Sequence, residues 1–275
     1  MKWSLWAKTI NDAWVLTAAA GALLFVFSGL YVFMGSQFED DNLETLLDLL
    51  PPFVSKLSPI PFKEMVRPLG RIAGLLVDPT LFLTCGLWAI ARGSDAVSGE
   101  LNRGTMEILL AQPIPRYQIM LVQAIVTTLS ALLLVSIVFV GVGLGVWMAG
   151  FKETVSMAHF ARGLMNLFSL IFCLAAVSTL LSSVDRYRWR TLALGGGFMV
   201  TQLIIKVLSR LRDDFEFLRY TTIYGAYEPW WMISASDDNF WWTWMGLCGV
   251  LLSIGTTCYI IATIIFCRRD LPAPL

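Results

Sequence analysis

Residues 117–151 read YQIMLVQAIVTTLSALLLVSIVFVGVGLGVWMAGF, 35 positions without a charge. A bilayer core is crossed by about 20 apolar helical residues, so this run is a membrane span, long enough to tilt or to project beyond the lipid. Outward from it, further charge-free runs lie between Asp12 and Glu39, from Gly163 to Val184, from Thr191 to Ile205 and from Asn239 to Cys267. One more crossing is short, because residues 79–91 give only 13 charge-free positions and the span must borrow from Ile72 to Val77. That brings Asp78 to the membrane, where a central carboxylate costs about 2.5–3.5 kcal/mol. Asp78-Pro79 is an N-cap followed by a proline at the first helical position, so a helix break near the outer face is the favoured reading over a buried functional carboxylate. Residues 1–12, with Lys2, Lys8, Trp3 and Trp6, read as an interfacial helix feeding an uncleaved first span. The expected fold is an all-α polytopic membrane protein with six transmembrane helices.

Composition excludes the alternatives. Of 275 residues, 57% are hydrophobic and 15% charged, whereas soluble domains carry about 25% charge. The 20 basic and 20 acidic residues cancel, so no basic field is available to hold nucleic acid. Cys85, Cys173, Cys248, Cys258 and Cys267 sit in apolar runs without CxxC spacing and read as packing residues. His159 stands alone, and no metal site is expected. Six spans put both termini on one side. Ten of the 20 basic residues fall on each side, but those beside the termini, among them Lys8, Arg92, Arg103, Arg116, Arg188 and Arg269, crowd short loops at span ends. Lys56, Lys63 and Arg67 lie in a long loop that translocates regardless of charge, so the termini are expected in the cytoplasm.

Function must then sit in the loops and in polar positions within spans. The outer loop 36–71 holds Pro51, Pro52, Pro59, Pro61 and Pro68, which exclude one long helix. Leu43, Leu46, Leu47, Leu49 and Leu50 among Glu44 and Asp48 suggest a short amphipathic helix on the membrane. The outer loop 210–240 carries Tyr220, Tyr224 and Tyr227 at i, i+4, i+7, followed by Trp230. It reads as an aromatic belt at the headgroups or as a re-entrant segment before the last span, forming an outer gate. Gln123, Thr127 and Ser130 share one helical face, as do Asn166, Ser169 and Cys173. These are either interhelical contacts, the favoured reading, or a translocation path. Gly141 and Gly145 form a GxxxG pair for close helix packing, and Gly195 to Gly197 allow close approach or bending.

The inner loop 93–116 mixes apolar and charged residues. Thr105 can cap a short helix bearing Met106, Ile108, Leu109 and Leu110, which Pro113 and Pro115 stop. Such a helix lies on lipid headgroups or in a groove of a partner, with Glu100, Arg103 and Glu107 fixing its orientation. The stretch SGELNRGTMEILLAQPIPR, residues 98–116, resembles the cytosolic motif after the second span in membrane permeases of ATP-binding-cassette (ABC) transporters, type-two exporter class. The resemblance rests on Gly99-Glu100, Gly104-Thr105, the Glu107 to Leu110 helix and Pro113 to Arg116. The tail, with Phe266, Arg268, Arg269, Asp270 and Leu271, is similar to the Phe-x-Arg-Arg-Asp-Leu ending common in that family.

What the resemblance implies is a single transmembrane domain over residues 1–275 in the cell inner membrane. It implies a second permease copy, identical or not, and a dimer of cytosolic ABC ATPase subunits that bind ATP and Mg. By the same resemblance Glu100, Arg103, Gly104, Thr105, Met106, Glu107, Leu109 and Leu110 would couple the chain to that ATPase, with Glu100 orienting the helix and Met106 docking. The chain itself holds no Gly-Lys dipeptide and hence no GxxxxGK[ST] phosphate loop, so it is expected to carry no ATPase site and no cofactor. The alternatives are a non-transporting anchor or sensor that recruits an ATPase, and a membrane-embedded transferase. The acidic pairs Asp40-Asp41, Asp213-Asp214 and Asp237-Asp238 come without a plausible base.

Overall fold

A computed structural model describes residues 3–37, 58–150, 155–211, 213–236 and 238–269, without the side chains of 213, 214 and 216. Helix α1 spans Trp3–Ser36, α2 Pro68–Ala73 with a 3-10 turn Gly74–Val77, and α3 Pro79–Asn102. Then follow α4 Thr105–Leu110, α5 Arg116–Ala149, α6 Met157–Val184, α7 Arg188–Leu211, α8 Pro229–Ser234 and α9 Phe240–Arg268. No strand occurs among the described residues. Helices α1, α5, α6, α7 and α9 are each long and apolar enough to cross a bilayer. The pair Pro68–Val77 and Pro79–Asn102, bent by 40°, makes a sixth crossing when taken as one broken span. The chain is therefore an all-α multi-pass membrane protein.

The break falls where Asp78-Pro79 dictates. Asp78 is extended (φ −62°, ψ 131°), its carboxylate accepts from the Thr80 backbone N–H at 2.8 Å, and Pro79 occupies the first helical position. At the N-terminus the structure differs from the expectation of a separate interfacial helix over 1–12. Trp3–Ser36 is one continuous helix, and the Lys8 region is its first turns. No proline or glycine interrupts residues 3–20, so nothing stops propagation between the two segments. The leucine-rich segment at residues 43–50 lies outside the described residues.

Helix α6 is the centre of the bundle, packing against α3, α5, α7, α8 and α9 and burying most of its length, whereas α7 buries only Thr191, Gly195 and Met199. Helix α5 lies along α1, and the GxxxG pair makes that approach possible. A Cβ at Gly141 would meet Ser28 Oγ and, at 2.9 Å, the Phe25 carbonyl. One at Gly145 would stand 2.8 Å from Val32 Cβ and 2.9 Å from the Gly29 carbonyl. In the glycine triplet only Gly195 is crowded, since a Cβ there would stand 2.8 Å from Ile90, while a Cβ at Gly196 or Gly197 would meet no atom of another element within 4 Å.

Candidate functional site

At one end of the bundle the first turns of α1, the end of α3, α4, the α6–α7 connection and the end of α9 converge. Arg116 donates to the Arg269 carbonyl at 2.8 Å, and Arg269 donates to the carbonyls of Ser183 and Asp185 at 2.9 and 3.3 Å. The segments grouped on one side by the sequence thus meet in space.

Helix α3 does not stop at Ala91, as the count of charge-free residues implied, but runs to Asn102 through a π turn, Asp95–Gly99. A π turn leaves backbone groups out of the regular ladder, and α6 satisfies them. Ser182 Oγ accepts from the N–H groups of Val97 (3.1 Å) and Ser98 (2.8 Å) and donates to the Ser94 carbonyl (3.0 Å). Gly93 allows this proximity, since a Cβ there would stand 2.5 Å from the Ala175 carbonyl and 2.6 Å from Ser178 Cβ.

The π turn and its flanks carry a chain of charges, of which Arg92, Asp95 and Glu100 are buried. Glu100, 1% exposed, accepts from Lys8 Nζ (2.5 Å), Thr105 Oγ1 (2.5 Å) and Arg103 Nη2 (3.2 Å). Lys8 also faces Asp12 at 3.2 Å. The other end of the Arg103 guanidinium donates to Asp95 Oδ1 at 2.7 Å, and that hydrogen bond holds its pKa above the ordinary value against the lowering effect of burial. Asp95 in turn faces Arg188 at 3.5 Å and the buried Arg92 at 3.8 Å. Arg92 reaches Gln123 Oε1 at 3.5 Å. Buried charges persist only when paired and hydrogen-bonded, and this chain pairs them across α1, α3, α5 and α7.

Gly104, at φ 72°, turns the chain from α3 into α4 in the left-handed region open to glycine. Thr105 does not cap α4 as expected; its hydroxyl is taken by the Glu100 carboxylate, and Gly104 occupies the cap position without a side-chain bond. Met106 (1% exposed) and Leu109 (5%) turn inward onto Leu5, Ala96, Val97, Ile119, Met120 and Phe266. Leu110 is half-buried, while Glu107 and Ile108 face out, Ile108 at 65% exposure. Met106 is therefore an anchor of α4 to its own chain.

At the opposite end residues 213–236 fold back between α7 and α9 as two 3-10 stretches, Asp213–Thr221 and Ile223–Ala226, and then α8. The three tyrosines do not share a face. Thr222 breaks the run, and with about three residues per 3-10 turn the spacing i, i+4, i+7 no longer aligns. Tyr220 is exposed, Tyr224 and Tyr227 are fully buried against Phe82, and Trp230 is half-buried. Tyr227 donates its hydroxyl to the Leu76 carbonyl, and burial pushes its phenol well above the ordinary pKa, keeping it a neutral donor. Its carbonyl accepts from Lys206 at 2.6 Å, and Glu228 takes Arg210 at 2.6 Å and Lys206 at 3.4 Å.

The polar positions divide in the same way. Gln123 and Thr127 are buried within the bundle, and Asn166 donates to the Ala226 carbonyl at 3.0 Å, tying α6 to the aromatic segment. Ser130 lines a groove of about 490 Å³ between α1 and α5. Ser169, bonded to the Met165 carbonyl, borders one of about 450 Å³ among α5, α6 and α9. The five residues do not converge on one path. Sequence reasoning missed Arg92, Asp95, Arg188 and Ser182. A signal was present, because Trp88, Arg92, Asp95 and Gly99 follow one another at helical spacing and prolong the buried face of α3.

Comparison with known proteins agrees with this architecture. No curated protein is similar enough to count as a match. The family model described as ABC-2 family transporter protein matches residues 6–271, almost the entire chain. With its bundle of apolar helices, the chain is a membrane permease belonging to the ABC-2 family of transporters.

Proposed function

We propose that this permease is half of an ABC exporter of the cell inner membrane, driven by a dimer of separate cytosolic ATPase subunits that bind ATP and Mg. The observation that carries the reading is the division of α4. Its apolar anchors Met106 and Leu109 are committed to the permease core, leaving Ile108 exposed beside Glu107 at the charge-rich end. An isolated apolar side chain flanked by a charge on a rigid helix fits a groove in a partner, the apolar group giving affinity and the charge orientation. Glu100, Arg103, Gly104 and Thr105 hold the helix at a fixed angle to α3 and α1. The charge-rich end, with both termini, faces the cytoplasm under the positive-inside rule. A second permease copy completes the transporter, and the re-entrant segment with Tyr224, Tyr227 and Trp230 closes its outer end.

The test is recovery of the tagged chain from its native membrane in mild detergent, with partners identified by mass spectrometry. A stoichiometric ATPase lost on Ile108→Glu supports the reading. Recovery of the intact permease with no ATPase, with and without ATP, overturns it.

A further inference from the structure

We infer that the groove between α5 and α9 binds an anionic phospholipid of the leaflet at the charge-rich end, with an acyl chain between the helices and the phosphate on Arg116 and Arg268. The groove has a volume of about 470 Å³. Leu121 and Leu129 of α5 and Ile260 and Ile264 of α9 stand exposed along its walls. Its threonines turn their donors away, since Thr128, Thr256 and Thr263 each bond a carbonyl of their own helix at 2.7–2.8 Å. The wall from Tyr117 to Leu129 rises about 18 Å at 1.5 Å per residue, against about 15 Å for the hydrocarbon of one leaflet. The groove is thus apolar and as long as the buried part of one acyl chain.

The charge at its end is matched to a phosphate. On α9, Thr256, Ile260, Ile264 and Arg268 recur every fourth residue, so Arg268 continues the wall of the groove. On α5 the wall begins at the exposed ring of Tyr117, a side chain that favours the headgroup level. Its neighbour Arg116 joins the two walls by donating to the Arg269 carbonyl at 2.8 Å. Arg116 and Arg269 bond only backbone carbonyls, and Arg268 makes no hydrogen bond or ion pair among the described residues. Asp185, whose carbonyl accepts from Arg269, commits its carboxylate to Arg190 at 3.6 Å and to the backbone N–H groups of Arg186 and Tyr187. Three guanidiniums therefore meet at the end of an apolar groove with no acid among the described residues to balance them. Guanidinium forks bond phosphate oxygens with charge assistance, and the acyl chain takes the apolar walls out of contact with other solvent. A zwitterionic headgroup would bring its own ammonium to the cluster, so the site selects a net negative phospholipid.

The experiment titrates the full permease, purified in mild detergent, with phosphatidylglycerol or phosphatidylcholine of equal chain length and counts bound lipid by native mass spectrometry. Phosphatidylglycerol is expected to bind at least about fivefold more tightly, and Arg268→Gln to weaken it about fivefold, the factor of one basic residue at a membrane surface. Phosphatidylcholine binding should not change in that variant, and the fold is retained because Arg268 bonds nothing in the described chain. Ile260→Trp fills the groove and should remove the tightly bound lipid, whereas Met165→Trp, in the groove among α5, α6 and α9, should leave it in place. Equal affinity for the two lipids, or wild-type binding of phosphatidylglycerol by Arg268→Gln and Ile260→Trp, overturns the inference. So does an equal loss from Met165→Trp, which marks ordinary annular lipid. A permease dimer that Ile260→Trp dissociates with lipid binding intact would place a second copy in the groove and overturn it as well.

Discussion

Replacing Gly93 by alanine puts a methyl group into the seam between α3 and α6. The added Cβ would stand 2.5 Å from the Ala175 carbonyl and 2.8 Å from the Thr179 nitrogen, where ordinary contact begins at 3.4 Å. These are backbone atoms that cannot rotate away, so the helices must part by about 3.4 − 2.5 = 0.9 Å. That displacement would stretch the Ser182–Ser98 bond from 2.8 Å to about 3.7 Å, beyond hydrogen-bonding distance. Overpacking of this kind costs about 1–3 kcal/mol, and a lost buried hydrogen bond adds about 1 kcal/mol. The total of about 2–4 kcal/mol lowers the thermal midpoint by about 4–16 °C at about 2–4 °C per kcal/mol. The assay is thermal unfolding of the detergent-solubilised protein followed by size exclusion. Gly197→Ala is the control, because a Cβ there would meet no atom of another element within 4 Å, and it should be neutral or stabilising by up to about 1 kcal/mol from helix propensity. Equal midpoints for the two variants would refute the claim that the seam is set by Gly93.

Other perturbations test other parts of the structure by the same assay or by partner recovery. Tyr227→Phe removes the donor to the buried Leu76 carbonyl and should cost about 1–3 kcal/mol; an unchanged midpoint would count against the aromatic segment as a fixed plug. Asp78→Ala removes the cap of α3 and should cost about 1 kcal/mol, so a loss several times larger would point to a further role for that carboxylate. Met106→Ala opens a hole in the core beneath α4 and should destabilise the permease by about 2–5 kcal/mol. Ile108→Glu should leave the midpoint unchanged, and a large loss of stability there would contradict the outward placement of that side chain.

The spans were legible because the charge-free runs are long, and the break at Asp78-Pro79 because capping and proline geometry are local. The close approach of α1 and α5 was legible in Gly141 and Gly145. Less visible was whatever depends on what a charge meets in space. Arg92 and Asp95 look like loop residues when charge alone ends a span, yet α3 continues because Ser182 of a distant helix completes its π turn. Met106 reads as an exposed anchor on α4, but which face turns inward depends on the packing of Leu5 and Phe266 from the two ends of the chain. The tyrosine register failed for a local reason, the 3-10 winding that no apolar periodicity announced.

The most direct test of the account is site-specific photo-crosslinking in native membranes, with a photoreactive amino acid at position 106, 107 or 108. The account predicts adducts with a nucleotide-binding ATPase from positions 107 and 108 and none from the buried position 106. Adducts from none of the three, or only with proteins that hold no nucleotide site, would contradict it.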